Sequence, residues 1–146
     1  MELNELQTMK NFFKEDKFAR LAGLEIEEIT PVKAVVSVQI QPEHLNANGS
    51  VQGGLLYTLA DFTFAVLGNF LHPITVTQNG HIEYLRAASG GRLVATAKET
   101  ERAGKNTVCE VVIRGEDGQI VCVCGFRGFI KETDRNELMK KFSKEE

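Results

Sequence analysis

From Gly53 to Leu71 the chain reads Gly-Gly-Leu-Leu-Tyr-Thr-Leu-Ala-Asp-Phe-Thr-Phe-Ala-Val-Leu-Gly-Asn-Phe-Leu, and Asp61 is its only charged residue. Large apolar side chains fall on every face of this stretch, not along one stripe. A helix that is apolar all round is a buried helix. It needs cover on most of its sides, which constrains the rest of the chain to wrap around it. Burying a carboxylate without a partner costs several kcal/mol or more, so an acid at the middle of such a helix is a candidate for chemistry. The structural alternative is an acid that caps a neighbouring loop or pairs with a distant arginine.

The flanking sequence supplies the cover. Residues from about Asn4 to Leu21 have Leu6, Met9, Phe13 and Leu21 near helical spacing, which predicts an N-terminal helix over about residues 1–21. Strands are predicted at Leu24–Ile29, Val32–Ile40, Thr75–Leu85, Arg92–Arg102, Thr107–Arg114 and Gln119–Ile130. Gly90-Gly91 and the Asp117-Gly118 pair mark turns between them. A charged C-terminal helix, with Leu138 and Phe142 as its apolar stripe, falls in residues 132–146. One long antiparallel sheet curled around a single central helix satisfies this order. The expected class is therefore α+β with a hot-dog architecture. The whole chain, residues 1–146, is read as one domain with its core at 22–131 and helical segments at both ends.

With 146 residues, 42% of them hydrophobic, the chain can bury a real core. A formal net charge of -3 without a dominant basic block excludes nucleic-acid binding by a basic surface. The apolar run raises the question of a membrane span, but it contains Thr58, Asp61, Thr63 and Asn69 and lacks basic anchors at its flanks. No membrane association is expected. The start, Met1-Glu2-Leu3-Asn4-Glu5, lacks the basic region and apolar run of a signal peptide, so a cytoplasmic location is expected. Cys109, Cys122 and Cys124 are read as buried core residues, and His44, His72 and His81 show no zinc spacing. No metal site and no cofactor are expected.

The residues before Asp61 suggest what it could do. The first amides of a helix are unpaired donors at the positive end of its dipole. Gly53 would let a carbonyl approach its N–H closely. An oxyanion donor of this kind is worth about 2.7–4 kcal/mol. Asp61 could then activate water as a general base or attack as a nucleophile. However, Gly53 and Asp61 are separated by roughly 12 Å along a helix rising ~1.5 Å per residue. Both can serve one carbonyl only if a second, antiparallel copy brings its own Asp61 to Gly53. A two-fold dimer would give two equivalent sites.

The segment His44-Leu-Asn-Ala-Asn-Gly-Ser-Val-Gln-Gly-Gly-Leu-Leu-Tyr-Thr-Leu-Ala-Asp61 closely resembles hot-dog acyl-CoA thioesterases of the phenylacetate-pathway (PaaI) type. In that family an Asn-rich loop leads into His-Gly-Gly, and an acid follows on the helix. The matching positions here are Asn46, Gln52-Gly53-Gly54 and Asp61. Ile82-Glu83-Tyr84-Leu85-Arg86 and Arg102-Ala-Gly-Lys105 extend the resemblance, which covers most of residues 40–130. It implies hydrolysis of an acyl- or aryl-CoA thioester by a homodimer, paired further as a dimer of dimers. Coenzyme A is then part of the substrate. The implied catalytic set is Asp61, Gly53, Asn46, Gln52 and Thr77, with Thr77 facing the acid or serving only as a strand residue. The implied substrate-binding set is Gly54, Tyr84, Arg86, Arg102 and Lys105. The departure is Gln52, where the family usually has His; glutamine cannot carry a proton near neutral pH. A non-catalytic acyl-CoA binding module is therefore the alternative. A hydratase would want a histidine on the central helix, and none is there.

Overall fold

The computed structural model describes residues 3–144, with side chains described from 5 to 141. The N-terminal helical region is two helices, not one. α1 (Leu3–Phe13) buries Met9 and Phe13, and α2 (Lys17–Ala22) starts again after a charged break at Lys14-Glu15-Asp16. Asp16 causes the restart: its side chain accepts the Ala19 N–H at 3.0 Å as an N-cap. Gly23 closes α2 at φ 84°, a conformation that glycine adopts without strain. Because of the break, Leu21 does not continue the buried stripe and is 82% exposed.

Six strands follow in one sheet: β1 (Glu25–Ile29), β2 (Ala34–Gln39), β3 (Thr75–Tyr84), β4 (Arg92–Ala103), β5 (Asn106–Arg114) and β6 (Ile120–Ile130). Their spatial order is β1-β2-β4-β5-β6-β3, and every pairing is antiparallel. Alternation works as expected on β5, where Cys109, Val111 and Ile113 are buried between exposed or half-buried neighbours. All three cysteines are free and buried. The expected strand ends are met to within two residues.

α3 (Gly53–Leu71) lies in the concavity of this sheet. By length and composition it could cross a bilayer, but Leu59, Ala60, Thr63, Phe64, Val66 and Leu67 are completely buried inside the chain. The sheet makes room for it with two glycines. A Cβ at Gly80 of β3 would lie 2.1 Å from the Tyr57 hydroxyl, and one at Gly128 of β6 would lie 2.7 Å from the Phe64 ring. Phe64 in turn stacks on Phe126 with centroids 5.4 Å apart. α4 (Arg135–Lys144) docks at the other end of α3, where the Arg135 guanidinium donates to the Asn69 carbonyl. The Phe142 side chain lies outside the described residues.

β3 is an edge of the sheet. It runs ten residues from Thr75 to Tyr84, pairs only with β6, and leaves most of its residues exposed, with Val76 and Tyr84 among the exposed large apolar side chains. A long unpaired edge is a template for another strand.

Candidate active site

Asp61 sits half-buried at the middle of α3, and Thr77 of β3 donates to its Oδ1 at 2.7 Å. Burial pushes the Asp61 carboxyl up from the ordinary aspartate value, the Thr77 bond pulls it partly back, and the charge of Asp16 pushes it up again. The net direction is upward, toward the range where a carboxylate is a useful base. Thr77 is thus a partner of the acid and not merely a strand residue. Its bond leaves Oδ2 of Asp61 available.

At the N-terminus of the helix, Gln52 is the N-cap and its Oε1 accepts the Gly54 N–H. A Cβ at Gly54 would lie only 2.6 Å from that oxygen, so a larger residue there would displace the Gln52 cap. The Gly53 N–H has no hydrogen-bond partner among the described residues. Tyr84 donates its hydroxyl to the Gly53 carbonyl at 3.0 Å, and its ring stands 3.3 Å from where a Gly53 Cβ would be. Gly53, Gly54, Tyr84 and Arg86 line one cleft of about 420 Å³. Arg86 is oriented by donating to the Ile120 carbonyl at 2.9 Å.

Of the remaining residues predicted from sequence, Asn46 bonds to Ser50 on the wall of this cleft, whereas Arg102 and Lys105 lie apart from it. Asn46 organises its own loop: its Oδ1 accepts the Asn48 and Ser50 N–H groups at 2.9 and 3.1 Å. Lys105 is 3.7 Å from Glu132 and lies over the Phe129 ring, 6.0 Å from its centroid. Arg102 is exposed and its backbone N–H donates to the Glu101 carboxylate. The register explains the separation. Tyr84 pairs with Cys122 at one end of β6, whereas Thr77 pairs with Gly128 and the Arg102–Lys105 turn with the end at Phe129. From Thr77 to Tyr84 is seven residues of strand, about 23 Å. One chain therefore carries two half-sets: Gly53, Gly54, Tyr84 and Arg86 at one end, and Asp61, Thr77, Arg102 and Lys105 toward the other.

Two residues near the site were not foreseen. Asp16 acts on Asp61 through its charge, and an Asp just before Lys-Phe-Ala-Arg-Leu is a helix-start signal that could have revealed it. His44, which the sequence marks only as lacking zinc spacing, is buried and touches α2: its Nε2 lies 2.9 Å from the Ala22 carbonyl. That contact spans 22 residues and leaves no local trace. Among the described residues there is no cluster of His, Cys, Asp and Glu suited to a metal.

Comparison with known proteins agrees with the fold and the family resemblance. A family model described as the thioesterase superfamily matches residues 48–122. A Deinococcus radiodurans protein provisionally named an esterase is 34% identical over 81% of this chain and 80% of its own. The acyl-coenzyme A thioesterase PaaI of Escherichia coli is 28% identical over 84% and 86%. Among solved structures, a hypothetical thioesterase of Streptococcus pneumoniae, crystallised with coenzyme A, superposes with a TM-score of 0.78 at 27% identity, covering 86% of this chain and 98% of that one.

Proposed function

We propose that this chain, which belongs to the thioesterase superfamily as a PaaI-like hot-dog thioester hydrolase, cleaves acyl-coenzyme A at a site shared between two copies. The observation that carries this reading is the pairing of a half-buried, Thr77-bound Asp61 with an unpartnered Gly53 N–H on the same helix. The two lie roughly 12 Å apart along the helix axis, too far for one carbonyl. The exposed edge of β3 supports a geometry that would unite them. Two β3 strands paired antiparallel about a two-fold axis would bring the Gly53 end of one chain to the Asp61 end of the other. Each site then gathers Gly53, Gly54, Tyr84 and Arg86 from one protomer with Asp61, Thr77, Arg102 and Lys105 from its partner. The three cations are suited to coenzyme A phosphates. That the Streptococcus pneumoniae relative was crystallised with coenzyme A supports the substrate class.

In this reading the thioester carbonyl oxygen rests on the Gly53 N–H. Asp61 Oδ2 takes a proton from water as that water attacks the carbonyl carbon, and the developing oxyanion is held by the amide. The C–S bond then breaks, and the proton on Asp61 passes to the departing thiolate. The products are a free acid and coenzyme A. No step requires a proton on Gln52, whose side chain caps Gly54, but a histidine at that position would add a donor beside the oxyanion, so Gln52 is read as a weakened family position. Asn46 shapes the loop that leads into the helix.

The test is thiol release from acyl-CoAs of graded size by the wild type and Asp61→Asn. Turnover should fall at least about 100-fold in the variant while the fold is kept. Equal rates would remove Asp61 from the mechanism. Binding by the wild type without turnover of any substrate would favour a binding module.

A further inference from the structure

We propose that the chamber between α2 and the first turns of α3 holds the acyl part of the substrate and favours an extended aliphatic chain. The inference rests on the acyl-coenzyme A reading above and names its substrate class. The chamber measures about 680 Å³, within the size range of small-ligand sites. Phe18, Leu21 and Ala22 of α2 form one wall, and Leu45 and Leu55 contribute to the opposite one. Gly54 lines this chamber and also the cleft of Gly53, Tyr84 and Arg86. The helix N-terminus is therefore a junction between a mainly apolar space, with Glu43 and Thr58 also on its lining, and a space that holds a cation. A thioester with its oxygen on the Gly53 N–H would send its sulfur toward Arg86 and its acyl carbons toward Leu21. That partition matches each half of an acyl-CoA to like surroundings.

Two further observations point the same way. Phe18 and Leu21 are 64% and 82% exposed, though a helix of this size would normally turn such residues inward. They stand together at the rim of one apolar cavity, and a bound chain would take both out of water. The wall they belong to is also fixed in advance. His44 Nδ1 accepts the Gln41 N–H at 2.9 Å, so its proton is on Nε2 and is donated to the Ala22 carbonyl. Asp16 caps the other end of α2. With both ends tied, the chamber keeps its depth without a ligand, and less binding free energy is lost in ordering it.

The experiment is calorimetric titration with S-alkyl-coenzyme A thioethers, ethyl through decyl, which lack the carbonyl and cannot be hydrolysed. Wild-type affinity should rise at least about tenfold from ethyl to decyl. A Phe18→Ser/Leu21→Ser variant should lose most of that rise and keep the ethyl affinity. Both side chains are exposed, so the variant is expected to fold; its melting temperature is measured alongside. Equal affinity for every length in the wild type, or an undiminished rise in the variant, would overturn the proposal. A change of oligomeric state in place of a change in chain selectivity would overturn it too, by assigning this face to a second copy. Thiol release is scored separately. Length-dependent binding without turnover leaves the chamber standing and removes acyl-coenzyme A hydrolysis, whereas turnover without length dependence does the reverse.

Discussion

Thr77 donates a 2.7 Å hydrogen bond to Asp61 Oδ1, the one side-chain bond that favours the charged form of a carboxylate otherwise pushed toward neutrality by burial and by Asp16. Removing it in Thr77→Val takes away the lowering influence, so the Asp61 pKa rises further. The acidic limb of the kcat/KM profile should move to higher pH. On that limb the rate at a given pH should fall as less of the base is ionised. Parallel pH–rate profiles check this, and a limb that stays in place would separate Thr77 from the titrating group.

Asp61 should also weaken the fold it serves. Its pKa is raised in the folded state above the ordinary value of 3.8. The stability it contributes as a neutral acid is therefore present below that value and lost as pH rises through the folded pKa. Asp61→Asn keeps a neutral side chain at every pH. Its melting temperature should match that of the wild type in acid and exceed it at neutral pH. Thermal melts across that range decide the matter, and a variant less stable at neutral pH would show that the charge is well compensated.

A shared site allows complementation between two inactive chains. Gly53→Val blocks approach to the amide, because even its Cβ would stand 3.3 Å from the Tyr84 ring; Asp61→Asn removes the base. In a mixed dimer one site carries both lesions and the other carries neither. Co-folding equal amounts should give mixed dimers in about half the population and restore about a quarter of wild-type turnover. Activity no greater than that of the separate variants would place the whole site within one chain.

Gln52 has a structural duty that can be measured separately from chemistry. Gln52→Ala loses the cap on the Gly54 N–H and should cost about 1 kcal/mol in urea unfolding. Gln52→His keeps a side-chain acceptor and adds a titratable group beside the oxyanion position. Turnover should rise in that variant. A fall would mean that the length of the amide is needed to satisfy Gly54 while leaving Gly53 clear.

Much of this was legible in the sequence, and the reasons are local. α3 was readable because its apolar residues cover every face, and β5 because Cys109, Val111 and Ile113 alternate with polar neighbours. Asp61 stood out as a lone charge in that helix. The break before α2 was not readable, because Lys14-Glu15-Asp16 suits a solvated helix face as well as a loop, while Leu21 happens to fall near the spacing of a stripe it does not join. The contact of Tyr84 with Gly53 and the distance of Lys105 from both were hidden for another reason. They depend on β3 crossing to the far side of β6, which is a matter of register and not of composition.

The glycines opposite α3 have a consequence for the chemistry. Tyr57 and Phe64 lie two turns apart on one side of the helix, over Gly80 and Gly128, which lack the Cβ atoms that would collide with them. Asp61 falls between the two, four residues after the first and three before the second, on the same side. The two rings act as teeth of a key and the two glycines as the wards that admit it. A slip of one residue would swing the carboxylate by about 100° away from Thr77. The aim of the base is thus machined into the packing of the core, and a single methyl group added at Gly128 would throw it off without touching the carboxylate itself.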